Sequence, residues 1–165
     1  MHLEYLPNKG FILNTISINW QEKRNAVRET IGKTFKEDDT IIDVSHYFDG
    51  DESMNIHQRR DVYETLNSLK VLVFLNYDHD NKLKEIEVHA GLNVMIDDIK
   101  LQFGKDLSEQ LNQFQNKGIV YTEIEEGNYL IAELKMTLAN SESMGGDGND
   151  LTYIYLSSDI SHLSE

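Results

Sequence analysis

Residues 70–91, KVLVFLNYDHDNKLKEIEVHAG, decide the fold. Val71 to Leu75 form an unbroken apolar run, rich in β-branched and aromatic side chains, as in a strand buried on both faces. A polar turn follows at Asp78-His79-Asp80-Asn81. Beyond it the pattern alternates: Leu83, Glu85, Glu87 and His89 face one way, and Lys84, Ile86, Val88 and Ala90 the other. The stretch reads as a β-hairpin with a central strand first, Val71–Tyr77, and Lys82–His89 antiparallel to it.

Upstream, residues 11–18 (FILNTISI) have strand composition. Asn19 and Glu22 stand at capping-box spacing for a helix over Trp20–Ile31, closed by Gly32. Thr40–Phe48 reads as a strand and Asp49–Arg60 as a polar loop. Asp61–Leu69 is compatible with helix or strand, and its composition favours strand. Downstream, Leu92–Phe103 is extended and Asp106–Gln115 is helical. A second hairpin, Ile119–Glu125 with Tyr129–Leu138, turns at Glu126-Gly127-Asn128, and the glycine-rich 140–150 segment leads into a last strand, Leu151–Leu156. The expected fold class is α+β, an antiparallel sheet of hairpins with two helices packed on it. It is expected to be a single domain over 1–165, with a possible pseudo-repeat of halves 1–90 and 91–165.

Charge narrows function. The chain has 15 Lys and Arg against 29 Asp and Glu, a net charge of −14. Such a field repels phosphate backbones and anionic lipid, so nucleic acid and membrane are not expected partners, whereas a basic protein is steered inward. Acidity also serves solubility alone. No apolar run approaches the roughly 20 residues that cross a bilayer. MHLEYLPNKG at the start lacks the regions of a secretory signal, and there is no cysteine. A cytoplasmic location is the expectation.

No pattern carries catalysis. There is no thiol nucleophile and no GxSxG elbow. The histidines at 2, 46, 57, 79, 89 and 162 show no metal-ligand spacing, although His46 and His89 fall in expected strands. Counted from Asp78, a calcium loop would need glycine at position 6 and glutamate at 12; Leu83 and His89 stand there. Met144–Asp150 (MGGDGND) lacks the features of a phosphate loop and reads as a tight connection, with partner contact or a cation site as alternatives. No catalytic residue, metal or cofactor is expected.

Acidic residues gather at strand ends, interleaved with tyrosines. The candidate partner-binding set is Tyr47, Asp49, Asp51, Glu52, Asp78, Asp80, Asp147 and Asp150, with the loops converging at one end of the sheet. In size, acidity, lack of cysteine and α+β layout, and in the stretches FLNYDHDNKLKEIEVHAG (74–91) and MGGDGNDLTYIY (144–155), the chain resembles the small acidic immunity proteins of bacterial polymorphic or contact-dependent toxin systems, including the maf-type. That resemblance implies an inhibitor that binds a basic toxin domain, often a nuclease, and occludes its active site or a neighbouring surface. The alternative from another class is a small-molecule or metal-binding enzyme with a pocket between sheet and helices.

Overall fold

The computed structural model describes residues 2–66 and 68–163. The fold class is α+β, dominated by strands. Val71–Tyr77 lies within β8 (Leu69–Tyr77), an interior strand paired antiparallel to β7 (Arg60–Leu66) on one side and to β9 (Leu83–Ala90) on the other. Of the ambiguous segment Asp61–Leu69, Asp61–Leu66 is therefore strand and Leu69 begins β8, while residue 67 lies outside the described residues. β9 continues to β15 (Leu151–Ser157), β14 (Met136–Asn140), β13 (Asn128–Ile131) and β12 (Thr122–Glu125), and the short β4 (Lys36–Glu37) closes the opposite edge of this eight-stranded sheet.

A second, five-stranded sheet packs on its inner face. Its order is β11 (Ile99–Leu101), β10 (Asn93–Ile96), β1 (His2–Leu6), β2 (Gly10–Leu13) and β3 (Ile16–Asn19), with β1 and β10 parallel. The expected strand over 11–18 is thus a hairpin folded at Asn14, whose φ of 58° makes the turn. Leu3, Phe11 and Leu13 of the smaller sheet meet Tyr63, Val73, Leu75 and Ile86 of the larger. The gap left between them is only about 10 Å³, at the lower limit for one water.

Helices α1 (Arg24–Ile31) and α2 (Leu107–Gln115) contact β3 and β11, the two edges of the five-stranded sheet, and send Val27, Ile31, Leu107, Leu111 and Phe114 into the same core. Residues of both chain halves thus share one hydrophobic cluster. α2 begins where expected, with the Asp106 carboxylate accepting from the Glu109 amide at 3.0 Å. α1 begins four residues later than expected. Asn19 ends β3 and donates its side chain to Glu22; Gln21 turns the chain at φ 68°, and the backbone of Gln21–Arg24 pairs with Asn81–Leu83 in place of a first helical turn. Gly32 closes the helix in the left-handed conformation, φ 58°.

Two further expectations change. β8 is not buried on both faces: Val71, Val73, Leu75 and Tyr77 are buried inward, but Leu72, Phe74 and Asn76 are only partly covered on the outer face. The second hairpin is shorter, because a 3-10 turn at Ala132–Leu134 separates β13 from β14.

Gly91 follows β9 at φ 83°, and a Cβ there would sit 2.2 Å from the Lys70 carbonyl oxygen and 2.7 Å from Val71 Cα. Both partners are backbone of the neighbouring strand and cannot yield cheaply. Gly91→Ala is expected to cost well over the ~1 kcal/mol of ordinary glycine replacements. Urea unfolding of this variant against a Gly145→Ala control, where nothing lies within 4 Å, checks it; equal midpoints would show that the strand gives way.

Candidate partner-docking arm

β4 and β7 form the base of a long hairpin. Lys36 faces Val62 and Glu37 faces Asp61. Beyond Asp38–Asp39 the ladder resumes in the same register as a separate two-stranded ribbon, β5 (Thr40–Ile42) with β6 (Ile56–Gln58), in which Thr40 faces Gln58 and Ile42 faces Ile56. Ribbon and tip stand clear of both sheets as an arm, and almost every residue from 40 to 57 is exposed.

Thr40–Phe48 is therefore strand only as far as Ile42. The Asp43 carboxylate accepts from both the amide and the hydroxyl of Ser45, at 2.9 and 2.7 Å, and bends the chain into a 3-10 turn over Ser45–Tyr47. A second turn, Glu52–Met54, is capped by Asp51, which accepts from the Ser53 amide. Part of the expected polar loop, Ile56–Gln58, is the returning strand.

The arm's chemistry is unusual for a surface. Ile41, Ile42, Tyr47, Phe48, Met54 and Ile56 account for six of the ten large exposed apolar side chains among the described residues, and Tyr47 is 76% exposed. Scattered apolar residues are ordinary on a surface, but here three on the ribbon (Ile41, Ile42, Ile56) and three on its tip (Tyr47, Phe48, Met54) are concentrated within 16 residues. Residues 38–58 also carry six carboxylates and no Lys or Arg. Of the candidate set, Tyr47, Asp49, Asp51 and Glu52 lie on this arm; Ile41, Ile42, Ile56 and Met54 are not in that set.

The root of the arm is held by buried charge. Asp61 is on the inner face of β7, wholly buried, and accepts from Arg24 at 2.8 and 3.1 Å, from Arg28 at 2.6 and 2.8 Å, and from the Tyr77 hydroxyl at 3.2 Å. Arg24 also grips Asp39 with both terminal nitrogens, at 2.7 and 2.8 Å, and Arg28 reaches Glu37 at 2.6 Å. Arg60 bonds Asp38 at 2.6 Å. Burial works against the Asp61 charge, yet the hydrogen bonds and positive charge of Arg28 and Arg24 outweigh it and hold its carboxyl below the ordinary value. Asp39 is lowered too, chiefly by its bond to Arg24.

The other candidate residues fall in two places. Asp78 and Asp80 occupy the β8–β9 turn at the arm's end of the sheet, where Arg59 donates to the Asp78 carbonyl at 3.3 Å. The Asp78 carboxylate is engaged in the turn itself, accepting from the amides of Asp80 and Lys82. Asp147 and Asp150 lie at the opposite end, because β15 pairs Ser157 with Glu85 near that turn and starts, at Leu151, beyond Val88. Their loop is a closed turn fastened to α2: Ser141 donates to the Asp150 carbonyl, and Asn149 bonds Asp106 and Ser108. The acidic loops do not all converge at one end. Nor do the two histidines meet: His46 stacks on Tyr47 at 3.8 Å, whereas His89 packs between Phe74 and Tyr153 on the sheet. Among the described residues no group of three His, Asp or Glu converges to hold a metal, and no helix is long and apolar enough to cross a membrane.

Compared with known proteins, the chain matches no family model, and no curated protein or solved structure is similar to it.

Proposed function

We propose that the protein is a non-enzymatic inhibitor, an immunity protein that binds a cognate basic bacterial toxin, such as a nuclease, and occludes its active site or an adjacent surface in the cytoplasm. One observation carries the reading: the arm presents six of the ten large exposed apolar side chains among the described residues, beside four carboxylates, Asp43, Asp49, Asp51 and Glu52, on a stretch from residue 40 to 58 that has no Lys or Arg. Carboxylates at an interface rim accelerate encounter with a basic protein, and apolar and aromatic side chains supply contact area once docked. A nucleic-acid ligand is the wrong partner for this charge.

Co-expression with the product of a neighbouring gene tests the proposal. A product that is toxic alone is expected to be tolerated in the presence of this protein and to co-purify with it. Toxicity that persists, with no complex formed, overturns the reading. A complex whose association rate ignores salt between about 50 and 300 mM keeps the inhibitor but removes the electrostatic mechanism, since charges on a solvated rim are screened over about 8–10 Å at physiological ionic strength.

A further inference from the structure

We infer that the Asp147–Gly148 step is a modification site: it converts spontaneously to isoaspartate, and the carboxylate so exposed takes a methyl group from S-adenosylmethionine through a protein isoaspartyl methyltransferase. The chemistry is independent of any partner that the arm binds.

The chain has two Asp-Gly steps, Asp49-Gly50 and Asp147-Gly148, and no Asn-Gly. Glycine lacks the Cβ that otherwise crowds its nitrogen as it approaches the preceding side chain. In the first stage the Gly148 nitrogen attacks Cγ of the Asp147 carboxyl group. The N–Cγ bond forms, the carboxyl hydroxyl leaves with the nitrogen's proton as water, and a five-membered succinimide closes. Water then adds to the ring carbonyl next to Cα and breaks its bond to the Gly148 nitrogen. The main chain now runs through Cγ, and the α-carboxyl group hangs free as a carboxylate. One water is lost and one regained, nothing is oxidised or reduced, and the charge is unchanged. That carboxylate attacks the sulfonium methyl group, giving a methyl ester and S-adenosylhomocysteine.

Solvent access does not separate the two steps, since all four residues are exposed. The fate of the glycine amide does. The Gly50 amide donates to the Ser45 carbonyl at 3.0 Å, and the same tip is closed by Phe48 donating to Ser45 at 2.8 Å and Asp51 to Phe48 at 2.9 Å. The Gly50 nitrogen must give up that bond and swing round before it can reach Asp49. The Gly148 amide donates to nothing among the described residues, and the Asp147 carboxylate accepts from nothing there. Gly145 and Gly148, at φ 83° and 91°, have no atom within 4 Å of where a side chain would stand, so little around the step resists ring closure. The loop as a whole is nevertheless closed: Glu142 donates to the Gly148 carbonyl at 3.1 Å, and Ser141 to the Asp150 carbonyl at 2.9 Å. The methylene that isomerisation adds to the main chain therefore falls inside that turn, outside β14 and β15.

Ageing of the purified chain at physiological temperature and pH tests the inference. Methyl uptake from labelled S-adenosylmethionine, catalysed by a recombinant isoaspartyl methyltransferase, is expected to rise with age, and peptide mapping is expected to place it at Asp147. Isoaspartate there is expected to exceed that at Asp49 at least about fivefold, the factor that one hydrogen bond of ordinary net strength represents. In urea, where the Gly50 amide is released, the two steps are expected to react alike. Asp147→Glu, which keeps the charge but must close a six-membered ring, is expected to lose the signal. No methyl uptake, or native isoaspartate as abundant at Asp49 as at Asp147, overturns the inference. So does the same ratio between the two steps in urea as in buffer, because the selection then comes from local sequence and not from the fold.

Discussion

Replacing Asp61 with asparagine is expected to remove about 3–5 kcal/mol of stability, the usual cost of breaking a buried ion network on one side. The side chain is fully buried, so the change takes the buried counter-charge from the Arg24 and Arg28 guanidiniums and turns one of its two accepting oxygens into an amide donor facing them. Native domains are stable by only about 5–15 kcal/mol, so the loss is a large fraction of the total and corresponds to roughly 10 °C or more in Tm for a chain of this size. Asp39→Asn, at the solvent rim of the same network, is expected to cost much less. Thermal and urea unfolding of the two variants checks the ranking. A second control separates charge from packing: Asp61→Leu combined with Arg24→Met and Arg28→Met removes every buried charge together and is expected to recover much of the loss. If Asp61→Asn is neutral, the network is not holding the fold. The pH dependence has a definite sign. Asp61 and Asp39 are more acidic in the folded chain than when unfolded. Their contribution is therefore complete above the ordinary carboxylate range of about pH 4 and is lost as pH falls through their depressed native values. Asp61→Asn is expected to flatten that acid limb.

Truncating Tyr47 and Phe48 to alanine together is expected to raise the dissociation rate of a partner complex about 10–100-fold, because aromatic anchors act after docking and each tenfold corresponds to about 1.4 kcal/mol. Tyr47 is stacked on His46 but otherwise open to solvent, so its removal takes nothing from the core. Neutralising Asp49, Asp51 and Glu52 acts on the other rate. It is expected to slow association several-fold at low salt and hardly at all at high salt, while dissociation stays within about a factor of two. Surface plasmon resonance against the co-purified partner at two salt concentrations separates the arms. Unchanged dissociation in the Tyr47/Phe48 variant would take the tip out of the interface.

The interior of the larger sheet was legible because its signal is local. An apolar run, a turn and an alternating strand fix β8 and β9 without reference to anything distant, and Asp106 caps α2 with its own neighbour's amide. The late start of α1 was not legible, since the Asn19–Glu22 pairing forms as the spacing implies but inside a turn, and the backbone of Gln21–Arg24 is held by Asn81–Leu83 some 60 residues away. Exposure of the arm was hidden for the same reason. Ile41-Ile42 looks identical in sequence whether a second sheet covers it or water does, and only the tertiary arrangement decides. Asp61 did leave a trace: it sits two positions before Tyr63 in a strand, so parity alone assigns it to the core face. A carboxylate there demands cations, and Arg24 and Arg28, one helical turn apart, are the pair that α1 offers. The placement of Asp147 and Asp150 at the far end followed from the pairing of β15 with β9, a long-range register that no local pattern encodes.

The unbroken register from Lys36–Val62 to Ile42–Ile56 has an evolutionary corollary. The chain leaves the body and returns to it on adjacent, hydrogen-bonded strands, with Asp38 donating its amide to the Arg60 carbonyl at the junction. Everything distal to that point is an exchangeable part: a tight turn in its place would still close the β4–β7 ladder. Substitutions, insertions or a wholesale swap between Thr40 and Gln58 therefore meet little resistance from the core, so recognition and foldability can drift on separate clocks. A lineage pressed to track a changing target could rewrite its specificity there, one short ribbon at a time, without ever renegotiating how the rest of the molecule folds.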